Sequence, residues 1–281
     1  GLYGPFWLFD CTARGDAVYT AEKREQWEDA NARYVKTDTY RVARRGTMEF
    51  EKIPADASKQ MDNAFMDAIE PFDYGQLQDY DAAYFSGYMA DKYDVTQEES
   101  APRVNERVTN SMKEKLRETV TGYNSVCEER ADIGIQEGTV SYAMMPVWML
   151  STKFNDNIYT FAMNGQTGKV VGSLPVDMGK FYKYLGGISA VMMLLAQLVL
   201  YFATETQFSG QNEGIALLVS VVIGLISVMS MKSSMNTAVV ETQASRYEKD
   251  ETFDLSTRND VFVSTRTERF EKEKPKPDAK G

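Results

Sequence analysis

Two long stretches without a charged residue, 184–204 (YLGGISAVMMLLAQLVLYFAT) and 214–231 (GIALLVSVVIGLISVMSM), interrupt a chain otherwise dense in Asp, Glu, Lys and Arg. At about 1.5 Å per residue the first covers the roughly 30 Å hydrocarbon core of a bilayer, and the second lies near the lower limit of about 17 residues for a spanning helix. A core helix of a globular protein keeps a polar stripe, and neither stretch has one. The pattern predicts a transmembrane helical hairpin over residues 180–232, with spans at about 184–204 and 214–231.

The flanks predict its orientation, because loops retained in the cytoplasm are enriched in Lys and Arg. Lys180 and Lys183 precede the first span and Lys232 follows the second, whereas the connection 205–213 (ETQFSGQNE) has neither residue type. The expectation is a multi-pass protein of the cell membrane with two spans and both termini cytoplasmic. Tyr182, Tyr184, Tyr201 and Phe208 stand where an interfacial aromatic belt is expected. Neither span contains an ionisable residue of the kind that marks an ion or substrate path, which argues against transport. Ser220 and Gly224 form a small-xxx-small pair suited to packing on the first helix or on another copy.

Residues 1–179 read as a cytoplasmic α+β domain of antiparallel strands and amphipathic helices. The run 5–12 (PFWLFDCT) ends at Arg14-Gly15-Asp16, and 17–21 (AVYTA) resumes a strand pattern, which predicts a hairpin. Residues 32–45 and 48–53 alternate around Gly46 and extend it to a meander. Helices are predicted from about residue 58 to Pro71, over 80–93 (YDAAYFSGYMADKY), and over 97–121, where Ala101, Val104, Val108, Met112, Leu116 and Val120 recur at helical spacing. Residues 124–135, 139–154 and 157–163 return to strand character, and Asn164-Gly165 signals a tight turn. Residues 233–281 read as a cytoplasmic C-terminal segment with a strand-like piece at 260–264 and a disordered tail over 271–281.

Composition narrows the chemistry. The chain has no histidine, which removes the commonest general base and metal ligand. Its two cysteines, Cys11 and Cys127, belong to no CxxC pair and read as buried small apolar residues. A net charge of -10, from 31 Lys and Arg against 41 Asp and Glu, disfavours a nonspecific grip on nucleic acid or anionic lipid. The loop 165–169 (GQTGK) is two residues short of a phosphate-cradling loop and is followed by Val170, not Ser or Thr. Arg14-Gly15-Asp16, also an adhesion tripeptide, is explained as a turn, and the carboxylate pairs Glu98-Glu99 and Glu128-Glu129 as solvated faces. An echo links Pro5-Phe6-Trp7 with Pro146-Val147-Trp148, each leading to a Tyr-Thr pair, and predicts two hairpins with inward Trp residues. No catalytic, cofactor-binding or metal residue is assigned.

PFWLFD near the start, PVWML, the block YTFAMNGQTGKVVGSLPVD at 159–177 and the apolar hairpin after it together resemble a bacterial membrane-protein family, the TFIIB-type zinc-ribbon-containing proteins of Firmicutes. The resemblance covers residues 1–270, with 159–177 its most specific block. It implies a zinc ribbon with paired CxxC motifs upstream of PFWLFD, so zinc is expected only there and no cofactor within this chain. Because the chain begins at Gly1 and lacks that ribbon, it reads as trimmed. The resemblance also implies SPFH-domain or phage-shock-type proteins as partners, beside the lipid bilayer and further copies of the chain. The reading is a non-enzymatic adaptor or scaffold in membrane-stress or membrane-organisation assemblies. The alternatives are a membrane-tethered, carboxylate-dependent enzyme, with its site in the cleft between the amino-terminal strands and the helices, and a small-ligand or lipid sensor.

Overall fold

The computed structural model describes residues 1–172, 177–204, 210–233, 238–250 and 252–271. Its elements, in chain order, are β1 (Leu2–Glu28), β2 (Ala32–Asp56), α1 (Asn63–Ala68), β3 (Met89–Ala90), α2 (Gln97–Glu118), β4 (Ser125–Phe154), β5 (Asn157–Asn164), β6 (Val170–Gly172), α3 (Met178–Thr204), α4 (Gly210–Ser233) and β7 (Asp254–Glu271). They fall into two compact units. The first holds Gly4–Lys59, Asp91–Met145 and the chain from Glu241 on; the second holds Gly1–Tyr3, Gln60–Ala90 and Pro146–Val240.

The first unit is built on the strand order β4-β1-β2-β7. Strand β1 runs straight through Arg14-Gly15-Asp16, and β2 runs straight through Gly46, with Gly15 paired directly to Gly46. The turns expected at these glycines are therefore absent, for a steric reason. A Cβ on Gly15 would lie 2.7 Å from Leu116 and 3.0 Å from Met112 of α2, and one on Gly46 would lie 2.8 Å from the backbone oxygen of Asp254. Both glycines serve close approach, the second use of a residue without a side chain.

The reversal between β1 and β2 lies instead at residues 29–31. There Asp29 accepts hydrogen bonds from the backbone N–H groups of Asn31 (2.8 Å) and Ala32 (2.7 Å). The face of β1 that carries Gly15 also carries Ala13, Ala17, Tyr19 and Ala21, all fully buried, while residues between them stay partly exposed. This is the period-two alternation of a half-buried strand.

Helix α2 matches its prediction because every local signal agrees. Thr96 and Glu99 form a reciprocal capping box, Glu98 and Glu99 lie at the positive end, and Lys115 and Arg117 at the negative end. Val104, Val108, Met112 and Leu116 form its buried stripe, each side chain contributing about 1.5–3 kcal/mol by leaving water. The segment after Glu241 is fastened to the same helix. Arg107 donates to the carbonyls of Pro54 and Gln243, and the Ser111 hydroxyl accepts from the Ala244 N–H at 2.7 Å.

In the second unit, β5 pairs antiparallel with both β4 and β6. A two-residue turn joins β4 to β5, with positive φ at Asn155 (48°) and Asp156 (61°), as the right-handed twist of a hairpin demands. The helix expected over 80–93 does not form. Asp81 caps a single 3-10 turn at Ala82–Phe85, and Gly87 at φ +86° stops it. Helix α3 packs on α4 through the stripe Ser220, Gly224 and Val228, where the missing side chain of Gly224 leaves room for Leu185 and Ser189.

The expected fold class is corrected on two counts. The chain is dominated by a mostly antiparallel sheet, and α2 is its one long amphipathic helix among the described residues. The two-span transmembrane hairpin is not upheld either. Among the described residues only Gly179–Leu198 is long and apolar enough to cross a membrane; the apolar part of α4 is the shorter Leu217–Ser230. At 1.5 Å per residue that stretch rises roughly 20 Å, short of the hydrocarbon core. A multi-pass localisation with both termini cytoplasmic required two crossings and falls with it. Phe208 of the expected belt, the connection 205–209 and the tail 272–281 lie outside the described residues.

The two glycines rank differently as mutation sites. Gly46→Ala meets backbone and should cost about 1–3 kcal/mol, whereas Gly15→Ala meets only the flexible ends of side chains and should cost clearly less. Urea unfolding of both variants checks the order, and a larger loss at Gly15 would contradict this account of the packing.

Candidate functional site

The motifs considered for chemistry are consumed by structure. In the 165–169 loop, the buried Asn164 donates to the carbonyls of Ile69 and Pro71 and accepts from the N–H groups of Gln166 (2.9 Å) and Thr167 (3.0 Å). The Lys169 ammonium donates to the Glu70 carbonyl at 2.6 Å. The amides and the lysine that a phosphate would need are already engaged, so the loop is a structural clasp. Glu99 belongs to the α2 capping box, and Glu98 accepts from Gln97, which lowers its pKa below the ordinary value. Glu128 and Glu129 lie exposed on β4, paired with Lys113 and Arg41. Asp16 pairs with Arg45 within the sheet, so Arg14-Gly15-Asp16 is no exposed loop.

The cysteines diverge. Cys11 is buried, and desolvation, with Asp10 beside it, pushes its thiol up to about 12; Cys127 is exposed, contrary to expectation. Among the buried acids, Asp56 pairs with Arg103 at 2.7 Å and Asp38 accepts from Lys36 at 2.8 Å. No group of three or more acidic or cysteine side chains among the described residues is placed to hold a metal ion. The expected inward Trp pair is half right. Trp7 is partly buried and donates to the Val95 carbonyl, but Trp148 is 48 % exposed.

Sequence reasoning missed a buried charge in the first unit. Arg44 is inaccessible and bonds through Nη1 to Asp260 of β7, whose other oxygen accepts from Tyr123 at 2.8 Å. Arg44 Nε and Nη2 and the Tyr19 hydroxyl find no partner among the described residues. The hydrogen bond from Arg44 holds the Asp260 carboxyl below its ordinary pKa, while burial pushes the Tyr123 hydroxyl up to about 12. An alternating strand with one Arg facing inward carries no distinct mark in sequence. The role of this cluster is to fix β7 on β2.

What remains unsatisfied is apolar surface. None of Gly179–Leu198 on α3 is buried. On β4, Trp148, Leu150 and Phe154 share one face and are all exposed. In the first unit β7 is the terminal strand of its sheet and leaves Val261, Phe262 and Val263 exposed in succession. Val263 is the extra residue of a bulge, since Tyr40 pairs with Phe262 and Thr39 with Ser264. Contiguous apolar surface of this kind marks contact with lipid or protein.

Fold and surface together describe a sheet-rich protein with, among the described residues, one exposed apolar helix long enough to cross a bilayer. The chain is similar to the uncharacterized protein YdjG of Bacillus subtilis (strain 168), 35% identical over 199 residues that cover 71% of this chain and 58% of that protein. The chain thus spans less than two thirds of that relative. No protein-family model matches the chain, and no solved structure matches it.

Because Asp260 has a depressed pKa in the fold, its contribution is complete above about pH 4, the ordinary carboxylate value, and is lost as pH falls through the lower folded value. Asp260→Asn should flatten that acid limb and destabilise the protein at pH 7 by about 3 kcal/mol, since Arg44 is left buried without its counter-charge. Unfolding free energies measured from pH 2 to 7 test both; an unchanged acid limb would refute the assignment.

Proposed function

We propose that this chain is a non-enzymatic adaptor that holds a sheet-rich platform at a lipid bilayer and offers that platform to partner proteins. The observation that carries the reading is α3, whose Gly179–Leu198 stretch is apolar, long enough to cross a bilayer and without a fully buried residue. Each Å² of apolar surface left in water costs about 25 cal/mol, so a helix of this kind needs lipid or protein around it. The carboxylates support the same reading, because the acids considered for catalysis cap α2, pair with Lys or Arg, or accept hydrogen bonds.

The partner-facing element is β7. A terminal strand has free backbone donors and acceptors that can add a partner's strand, with side chains such as Val261 and Val263 setting specificity. The resemblance to zinc-ribbon-containing membrane proteins names SPFH-domain and phage-shock-type proteins as the first partners to test.

Quantitative affinity capture from native membranes in mild detergent tests the reading, comparing the whole chain with its Val261→Lys/Val263→Lys variant. A small set of proteins retained by the first and lost by the second is expected. Identical recoveries, or no enrichment with either, would overturn the adaptor reading.

A further inference from the structure

Residues 75–90 of the second unit lie almost wholly at the surface, and their large side chains are aromatic or apolar. Tyr80 and Met89 are 76 % and 75 % exposed, and Tyr84 and Tyr88 are 53 % and 52 % exposed. Several of these rings form a row. Tyr80 packs on Phe85 with centroids 5.5 Å apart, Phe85 meets the Tyr3 ring edge-on at 4.8 Å, and Tyr3 meets Tyr88 at 5.7 Å. The backbone holds this row in place. Asp81 caps the 3-10 turn at Ala82–Phe85, Gly87 turns the chain at φ +86°, and β3 pairs Met89 and Ala90 with Leu2 and Tyr3 of β1. Contiguous exposed aromatics braced in this way have the composition of an interface centre, where Tyr and Met are enriched and little side-chain entropy is lost on contact.

Charge selects the occupant. Residues 60–90 hold six acidic side chains (Asp62, Asp67, Glu70, Asp73, Asp79 and Asp81) and no Lys or Arg. The remainder of the same unit, 1–3 and 146–240, has five lysines against four acidic residues. Two of those lysines are engaged, Lys153 by Asp156 and Lys169 by the Glu70 carbonyl. The whole unit is therefore acidic, and its excess sits in the stretch that carries the ring row. Asp79 and Asp81 flank Tyr80. Asp79 is exposed and Asp81 accepts from the neutral N–H of Ala83, so both keep their charge. Such a surface repels nucleic acid, anionic headgroups and, in a chain of net charge -10, a second copy. It attracts cations in two ways, because tyrosine faces bind an ammonium or guanidinium through the ring quadrupole and the flanking carboxylates pair with it.

We propose that the Tyr80–Tyr88 surface is a docking site for a Lys- or Arg-rich segment of a partner protein, whose cationic heads lie against Tyr80 and Tyr84 and pair with Asp79 and Asp81. The site lies in the second unit and β7 in the first, so it goes beyond the adaptor reading and does not depend on the β7 edge.

Binding of a fluorescein-labelled decapeptide of alternating Arg and Gly to the whole chain in neutral detergent, followed by anisotropy, tests the site. Saturable binding to the unaltered chain is expected. Tyr80→Leu/Tyr84→Leu, which keeps apolar side chains and every charge, should weaken it roughly tenfold. Asp79→Asn/Asp81→Asn, which keeps a capping side chain at position 81, should weaken it roughly threefold. Glu128→Gln/Glu129→Gln in the first unit should leave it unchanged. No saturable binding, or full affinity in the leucine variant, would overturn the proposal. An equal loss from Glu128→Gln/Glu129→Gln would overturn it too, as the mark of diffuse attraction to an acidic chain. Light scattering on the chain without peptide tests the other occupant: a doubled mass that Tyr80→Leu/Tyr84→Leu returns to the monomer would overturn the proposal in favour of a second copy.

Discussion

The ladder between β1 and β2 runs from Phe6 to Glu28 with one break in register, and that break sets the phase in which β2 alternates across the sheet of the first unit. At the break Phe9 pairs with Ile53 and Cys11 with Phe50, so β2 carries one extra residue there. Lys52 takes it up at φ 56°, and its N–H donates to the Asp10 carboxylate at 2.8 Å. A non-glycine residue in that region is costly, and the hydrogen bond offsets part of the cost. The bulge changes the phase of alternation. Met48 and Phe50 are buried on one side of it, Ile53 and Ala55 on the other. The extra residue resets which side of the sheet each side chain takes, since a slip of one residue moves a whole strand's side chains across it.

The same ladder explains what was legible in the sequence. Helix α2 was readable because its capping box, dipole-matched charges and apolar stripe all lie within the helix itself. The strands were readable as strands, but not their lengths. Gly15 and Gly46 carry a turn signal locally and a packing role globally, and the close approach of Leu116 and Asp254 that decides between them is distant in sequence. The true reversal at Asp29 lacks glycine and works through a side-chain acceptor, a weaker signal. For the candidate site, the clasp at Asn164 was readable as a turn. The exposure of Trp148 was not, because nothing local distinguishes an aromatic that faces a core from one that lies exposed.

The second helix of the apolar pair places its small residues at the contact with the first. Residues 214–231 hold no ionisable group, and the apolar run Leu217–Ser230 among the described residues includes Ser220, Gly224, Ser227 and Ser230. Two of them, Ser220 and Gly224, lie at the helix contact. Ser220, Gly224 and Val228 recur every fourth residue and form the buried seam against α3. In lipid, where apolar side chains gain nothing by leaving their surroundings, such small-residue seams allow the close approach that holds helices together. α4 thus presents its small residues to α3.

The position of this helical pair in the chain bears on how an adaptor would use it. The helices are inserted between parts of one sheet unit, because the chain returns at Glu241 to rejoin the unit it left at Met145. The returning segment is secured before the final strand begins, through Arg107 to Gln243, Ser111 to Ala244 and the Asn110 amide to Thr242. Arg107 is buried, so releasing the segment would cost its guanidinium the Gln243 acceptor while the Pro54 carbonyl stays in place. Strand β7 follows that fastening and is fixed a second time by the Arg44–Asp260 pair. Its exposed edge is therefore held at both its approach and its middle, and a partner strand that adds there meets a surface ordered in advance. That lowers the entropy cost of binding in the way preorganised edges do.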